Sequence, residues 1–161
     1  MGQFARSVGF GVVMAVATWG LGSSAYALQA GGVEVGDENG SVVGQPFKEL
    51  EVDAALYAIE LGPVKAWYPP TTIIDFKVRP GRPVLLKVKN NTGVDRGFKL
   101  TDAVNAVSPF VVNAEVVLKP GETKYIGIPT SDLFYATQGN TLTYFDHLNP
   151  KEPGGKLVMI K

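Results

Sequence analysis

The stretch Thr141–Lys161, TLTYFDHLNPKEPGGKLVMIK, holds the only histidine of the chain and ends in a strongly β-type run. It reads as a strand, a polar loop and a closing strand. Leu142–Phe145 is short and aromatic, and Lys156–Lys161 alternates side chains as a half-buried strand does. Between them Asn149-Pro150 and Pro153-Gly154-Gly155 punctuate a surface loop. A loop of this shape in a β-sandwich is a place for a metal site, so its side chains frame the functional question.

The chain before it repeats the same grammar. Val84–Lys89 sets Val84, Leu86 and Val88 against Leu85, Lys87 and Lys89, the pattern of a strand with one face in a core. Arg96–Thr101 carries Phe98 and Leu100 on one face, Val111–Leu118 is rich in valine, and Thr123–Ile128 alternates again. Tyr57–Leu61 and Val64–Tyr68 are split by Gly62-Pro63, and Ile73–Val78 follows the break at Pro69-Pro70. Pro80-Gly81-Arg82-Pro83, Asn90-Asn91-Thr92-Gly93 and Lys119-Pro120-Gly121-Glu122 are turns. Short strands at this spacing, with no convincing long helix, argue an all-β sandwich or small barrel.

Composition bounds the rest. With 161 residues, 45% hydrophobic and 19% charged, the chain is globular and long enough for one domain with a core. Fifteen basic residues balance fifteen acidic ones, which gives no reason to expect nucleic acid or an anionic membrane surface as partner. The chain has no cysteine, so disulfides, thiolate ligands and a thiol nucleophile are all excluded.

Residues 1–27 read as a secretory signal peptide. Arg6 supplies a basic start, Val8 to about Leu21 an apolar run, and Ser23-Ser24-Ala25-Tyr26-Ala27 a small-residue cleavage site. The run is broken by glycines and is shorter than the roughly 20 residues of a spanning helix, which favours a cleaved signal over a retained anchor. Loss of Arg6 leaves 14 basic against 15 acidic side chains, a net charge of −1. Residues 28–55 are expected as a flexible arm or tether, because Leu28–Pro46 is rich in glycine and poor in large apolar side chains. Phe47–Leu56 has apolar residues near helical spacing and allows a short helix. The sandwich is expected over 56–161.

The order of the strand and turn segments resembles a family. Tyr68-Pro69-Pro70-Thr71-Thr72-Ile73 with Val78-Arg79-Pro80-Gly81, then Asn90 to Phe98, then Leu118-Lys119-Pro120-Gly121-Glu122-Thr123 and Tyr144–Ile160, is similar to the run of the cupredoxins, plastocyanin among them. That resemblance implies a cupredoxin-like Greek-key β-sandwich with a short N-terminal arm. It also implies where copper would sit, and there the chain departs from the pattern. A type 1 copper centre uses two histidines, a cysteine thiolate and a weak axial methionine. Aligned without gaps, the four ligand positions fall on Arg96, Phe145, Leu148 and Pro153, none of which is a ligand. A slip of one or two residues brings in Asp146 or His147, but one histidine without cysteine does not make that centre.

Two readings of the pole follow. In the first, Arg96 and Asp146 form an ion pair that closes the former metal pocket, and no cofactor is bound. In the second, His147 with Asp146 and Glu152 holds copper or iron through one imidazole and carboxylates, as a carrier. Met159 belongs to the closing strand and is expected in the core. Catalysis finds no support: there is no nucleophile elbow, phosphate loop, dinucleotide fingerprint or H-E-x-x-H. The chain is therefore read as a non-enzyme, periplasmic, binding or accessory in role, as copper-free relatives of this fold are. The expected partner is a periplasmic or membrane-associated protein complex. Trp67 and Tyr68, and Phe134 and Tyr135 in the insertion Ser131–Asn140, are the candidate interface aromatics, with core packing the commoner fate of such residues in a sandwich, above all for Trp67 and Tyr68.

Overall fold

The computed structural model describes residues 28–30, 32–77, 81–101, 112–136 and 141–160. Among these, most strands form two large sheets. The first sheet runs, from edge to edge, β1 (Leu28–Ala30), β10 (Asn113–Leu118), β9 (Arg96–Thr101), β12 (Thr141–Phe145), β13 (Gly155–Ile160) and β7 (Thr71–Asp75). The second runs β2 (Glu34–Gly36), β11 (Thr123–Ile128), β8 (Val84–Asn90), β5 (Ala54–Leu61) and β6 (Val64–Tyr68). A small ribbon joins β3 (Ser41–Val42) to β4 (Gln45–Pro46). The chain passes repeatedly between the sheets, so apart from β5–β6, β9–β10 and β12–β13 the neighbours in these two sheets are not consecutive in sequence. Two pairs are parallel: β5 with β8, from Ala54↔Leu86 to Ala58↔Asn90, and β7 with β13, from Thr71↔Lys156 to Asp75↔Ile160.

Alternation puts every second side chain of these strands into the space between the sheets. Leu56, Ala58, Trp67, Leu86, Val88 and Ile126 meet Phe98, Leu100, Tyr144, Leu157 and Met159 in one buried cluster. Each large apolar side chain sealed there contributes about 1.5–3 kcal/mol. The expected strands appear, with Val64–Tyr68, Arg96–Thr101 and Thr123–Ile128 at the expected bounds.

The expected flexible arm at 28–55 is instead largely built into the sandwich. Glu34–Gly36 pairs with Tyr125–Gly127 at the sheet edge, and Val33 is fully buried in the main core. Val42 and Phe47 enclose Leu85 on the outer face of β8, so this end of the strand is buried on both faces while Lys87 and Lys89 stay partly exposed. The approach is close: a Cβ on Gly127 would lie 2.6 Å from the Cβ of Val42 and 2.7 Å from the Phe47 ring. Three apolar residues spread over a polar stretch suffice, because a ready-made sheet supplies the partner surface. The short helix allowed at Phe47–Leu56 reduces to one 3-10 turn, Phe47–Glu49, before β5 begins. Asp53 explains the switch to strand: its N–H donates to Leu85 O at 2.9 Å, and its Oδ2 accepts from Leu85 N–H at 2.8 Å. In the insertion Ser131–Asn140, expected as loop, the structure has a helix, α1 (Thr130–Ala136), anchored by buried Leu133. The 1–27 segment lies outside the described residues. No described helix is long and apolar enough to cross a membrane.

Candidate functional site

One pole of the sandwich gathers the β8–β9 and β12–β13 loops, and Asn90 shapes the first of them. It is fully buried; its Nδ2 donates to Val94 O at 2.7 Å and Leu118 O at 3.0 Å. Its Oδ1 accepts from the Thr92 N–H at 2.9 Å and the Thr92 hydroxyl at 2.8 Å. The loop so fixed delivers Arg96 to the first position of β9, with its side chain pointing into the molecule and only 1% exposed.

Asp146 faces it from just past the end of β12, and is equally buried. Its Oδ1 accepts from the backbone N–H groups of Gly97, Leu148 and Asn149 at 2.8, 2.9 and 3.2 Å. Its Oδ2 accepts from Asn149 Nδ2 at 3.1 Å and lies 3.0 Å from Arg96 Nε. Glu152 completes the group by accepting from Arg96 Nη2. The ion pair expected between Arg96 and Asp146 is therefore present and buried, and extended to a third member that sequence placed only in a metal set. Arg96 Nε is not in line for a hydrogen bond and Nη1 has no acceptor among the described residues, so the guanidinium is held by charge and enclosure more than by matched hydrogen bonds.

Gly97 is the hub that sequence reasoning missed. Its N–H goes to Asp146, and its carbonyl accepts the buried indole N–H of Trp67 at 3.0 Å. A Cβ there would fall 2.6 Å from Asp146 Oδ1 and 2.7 Å from His147 Nδ1, so only glycine lets the loop close over β9. Beneath it Trp67 meets Phe98 edge-on at 4.9 Å, and Phe98 stacks on Tyr144 at 5.9 Å. The Tyr144 hydroxyl donates to Pro69 O, beyond the cis Tyr68-Pro69 peptide.

Burial pushes the pKa of the Tyr144 phenol up, and the Thr72 hydroxyl works partly against it. The sign follows from linkage. The unfolded phenol ionises near about pH 10 while the folded one resists, so this contribution is whole below that pH and is lost as pH rises through the folded value. Urea midpoints measured from about pH 8 to about pH 11 are expected to fall at the alkaline end. Tyr144→Phe is expected to flatten that fall relative to the parent chain.

The remaining candidates are placed as follows. Phe145 is half-buried and precedes Asp146, which faces Arg96, while Leu148 and Pro153 are exposed. Trp67 is 1% exposed and hydrogen-bonded, which removes it from the interface aromatics, whereas Tyr68 is 55% and Phe134 45% exposed. The Tyr135 side chain lies outside the described residues. Met159 packs in the core as expected. His147 Nε2 sits 3.6 Å from Glu115 Oε1, and Glu115 also pairs with Lys99 at 2.9 Å. Asp146 is enclosed by donors and Glu152 is taken by Arg96, so no metal group of three His, Asp or Glu side chains forms among the described residues. The copper that the fold family implies does not fit these residues: the thiolate is missing, and a buried guanidinium stands at the pole.

No family model and no curated protein matches the chain. Among solved structures it is similar to a dithionite-reduced auracyanin from the photosynthetic bacterium Roseiflexus castenholzii, at 12% identity and TM-score 0.47, over 67% of this chain and 96% of that one. Auracyanin B is similar at 17% identity and TM-score 0.47, over 79% and 98%. A purple cupredoxin from Nitrosopumilus maritimus is similar at 10% identity and TM-score 0.44, over 67% and 100%. The two-sheet order with crossed connections makes the chain an all-β sandwich, and it has no cysteine to supply the thiolate of a type 1 copper centre.

Proposed function

We propose that this chain is an exported, non-catalytic binding or accessory subunit that docks on a periplasmic protein complex and carries no blue-copper centre. The observation that supports the reading is the buried group of Arg96, Asp146 and Glu152 at the pole where the resemblance puts copper ligands. A guanidinium enclosed there occupies the place of electron-transfer chemistry with a fixed ionic structure. What the fold then offers is surface, and the exposed aromatics Tyr68 and Phe134 are the side chains assigned to the partner.

The test has two arms on protein purified from its native envelope. Mass spectrometry is expected to find copper and iron far below one per chain; a stoichiometric metal removed by His147→Ala would overturn the reading in favour of a carrier. Cross-linking in the envelope is expected to give a discrete adduct with one protein complex. The double variant Tyr68→Ser, Phe134→Ser is expected to lose that adduct at unchanged Tm, and an adduct indifferent to both changes overturns the assignment of the surface.

A further inference from the structure

The outer face of the second sheet is handled in two different ways. On β8 its residues are Leu85, Lys87 and Lys89: the apolar one is enclosed by Val42 and Phe47, and the two left open are lysines. On β5 and β6 they are Tyr57, Ile59 and Leu61 with Val64, Ala66 and Tyr68, paired across the hairpin as Tyr57↔Tyr68, Ile59↔Ala66 and Leu61↔Val64. All six are apolar or aromatic, and the alternate residues Leu56, Ala58 and Trp67 fill the core. Strands apolar on both faces belong to a sheet covered on both sides. No cover like that of Val42 and Phe47 lies over this hairpin among the described residues; Leu61 is 66% and Val64 49% exposed, and Tyr68 is open beside them.

Resting on the docking function just proposed, we infer that the outer face of the β5–β6 hairpin is the surface that docks, and that it takes a protein face with an apolar centre and an acidic rim. Charge selects this occupant. β8 brings Lys89 beside Tyr57 and Lys87 beside Ala55 along one margin of the patch, and neither lysine has an ion pair among the described residues. Asp37 and Glu38 border a hollow with Lys87, whereas Lys89 has only Thr123 and Tyr57 as its lateral neighbours on this face. An uncharged centre with a charged margin is the anatomy of a protein interface, and carboxylates set opposite the lysines would fix its orientation. A second copy of this chain would bring no carboxylate to Lys89 through the same patch, since none stands among the outward residues of β5 and β6. An anionic membrane surface calls for a cluster of roughly four to eight basic residues. This margin offers Lys87 and Lys89 alone.

The experiment is photo-cross-linking of the full chain in its native envelope, with a photoreactive phenylalanine analogue replacing Val64, Tyr68, Ile73 or Phe134 in turn. Val64 and Tyr68 are expected to give an adduct with one and the same protein, mapped by mass spectrometry of the cross-linked peptide to an apolar segment flanked by Asp or Glu. Ile73, on the open edge of the other sheet, is expected to give none. The double variant Lys87→Glu, Lys89→Glu is expected to cut the yield about tenfold at unchanged Tm, and added salt to lower the yield of the parent chain. Adducts from Phe134 or Ile73 alone leave docking in place and overturn this face; no adduct from any position overturns both. A yield indifferent to the lysine changes, or an adduct between two copies of the chain, overturns the acidic-rimmed occupant. So does flotation with phosphatidylglycerol vesicles that Leu61→Ser, Val64→Ser abolishes, in favour of a membrane.

Discussion

Replacing Asp146 with alanine is expected to lower stability by about 3–5 kcal/mol, the range for removing one member of a buried ion pair. The change leaves the Arg96 guanidinium buried beside Glu152 alone and strips the Gly97, Leu148 and Asn149 N–H groups of their shared acceptor. The Gly97 N–H is buried, so the loss of its acceptor adds to the cost, whereas the Asn149 N–H keeps the Asp146 carbonyl. Urea unfolding checks it: the midpoint should fall with the slope unchanged. The companion double variant Arg96→Met, Asp146→Ala is expected to be more stable than Asp146→Ala, since no unpaired buried cation remains. An Asp146→Ala midpoint equal to that of the parent would show the pair to be solvated.

Trp67→Ala is expected to cost a similar amount, about 3–5 kcal/mol, for a different reason. The indole is the largest fully buried side chain, and its loss leaves a void against Phe98 under the pole. It also unpairs Gly97 O, whose own N–H holds Asp146, so damage to the core is passed directly to the ionic group. Trp67→Phe separates the two effects. It restores most of the contact with Phe98 and leaves only the carbonyl unpaired, for about 1–3 kcal/mol. Set against the roughly 5–15 kcal/mol by which domains are stable, either alanine variant is near the limit of folding. In a variant expressed without residues 1–27, Trp67 is the sole tryptophan, so its fluorescence reports unfolding of every substitution except its own.

What could be read in advance was whatever lay in local periodicity. Val84/Leu86/Val88 and Phe98/Leu100 announced strands with a core face, and the Gly/Pro turns bounded them. The Arg96–Asp146 pair was legible because two charges stood at the ends of consecutive segments that the resemblance brought together. Its third member, Glu152, was seen only as a metal ligand, since no sequence signal tells whether a loop carboxylate turns toward a cation of the protein or of the solvent. The packing of Val33, Val42 and Phe47 was invisible because their partners, β11 and Leu85, lie tens of residues away. For Trp67 the sequence leaves both core packing and a partner-facing role open, because neighbours in a Trp-Tyr-Pro-Pro run alternate in fate along a strand. Only pairing with β5 decides that Trp67 points inward and Tyr68 outward. Gly97 carries no sequence signal beyond being a glycine near the start of β9.

The position of β13 between β12 and β7 has a consequence for how the chain comes to be folded. Until Gly155–Ile160 has been made, β7 has no strand neighbour among the described residues, though it precedes β13 by some eighty residues. Its Thr71–Asp75 backbone waits as an open row of donors and acceptors, with Ile73 facing out. The first sheet thus closes late, through a parallel pairing of long sequence separation, and such pairings form slowly. A strand left unpaired in this way is an aggregation-prone edge until its partner arrives.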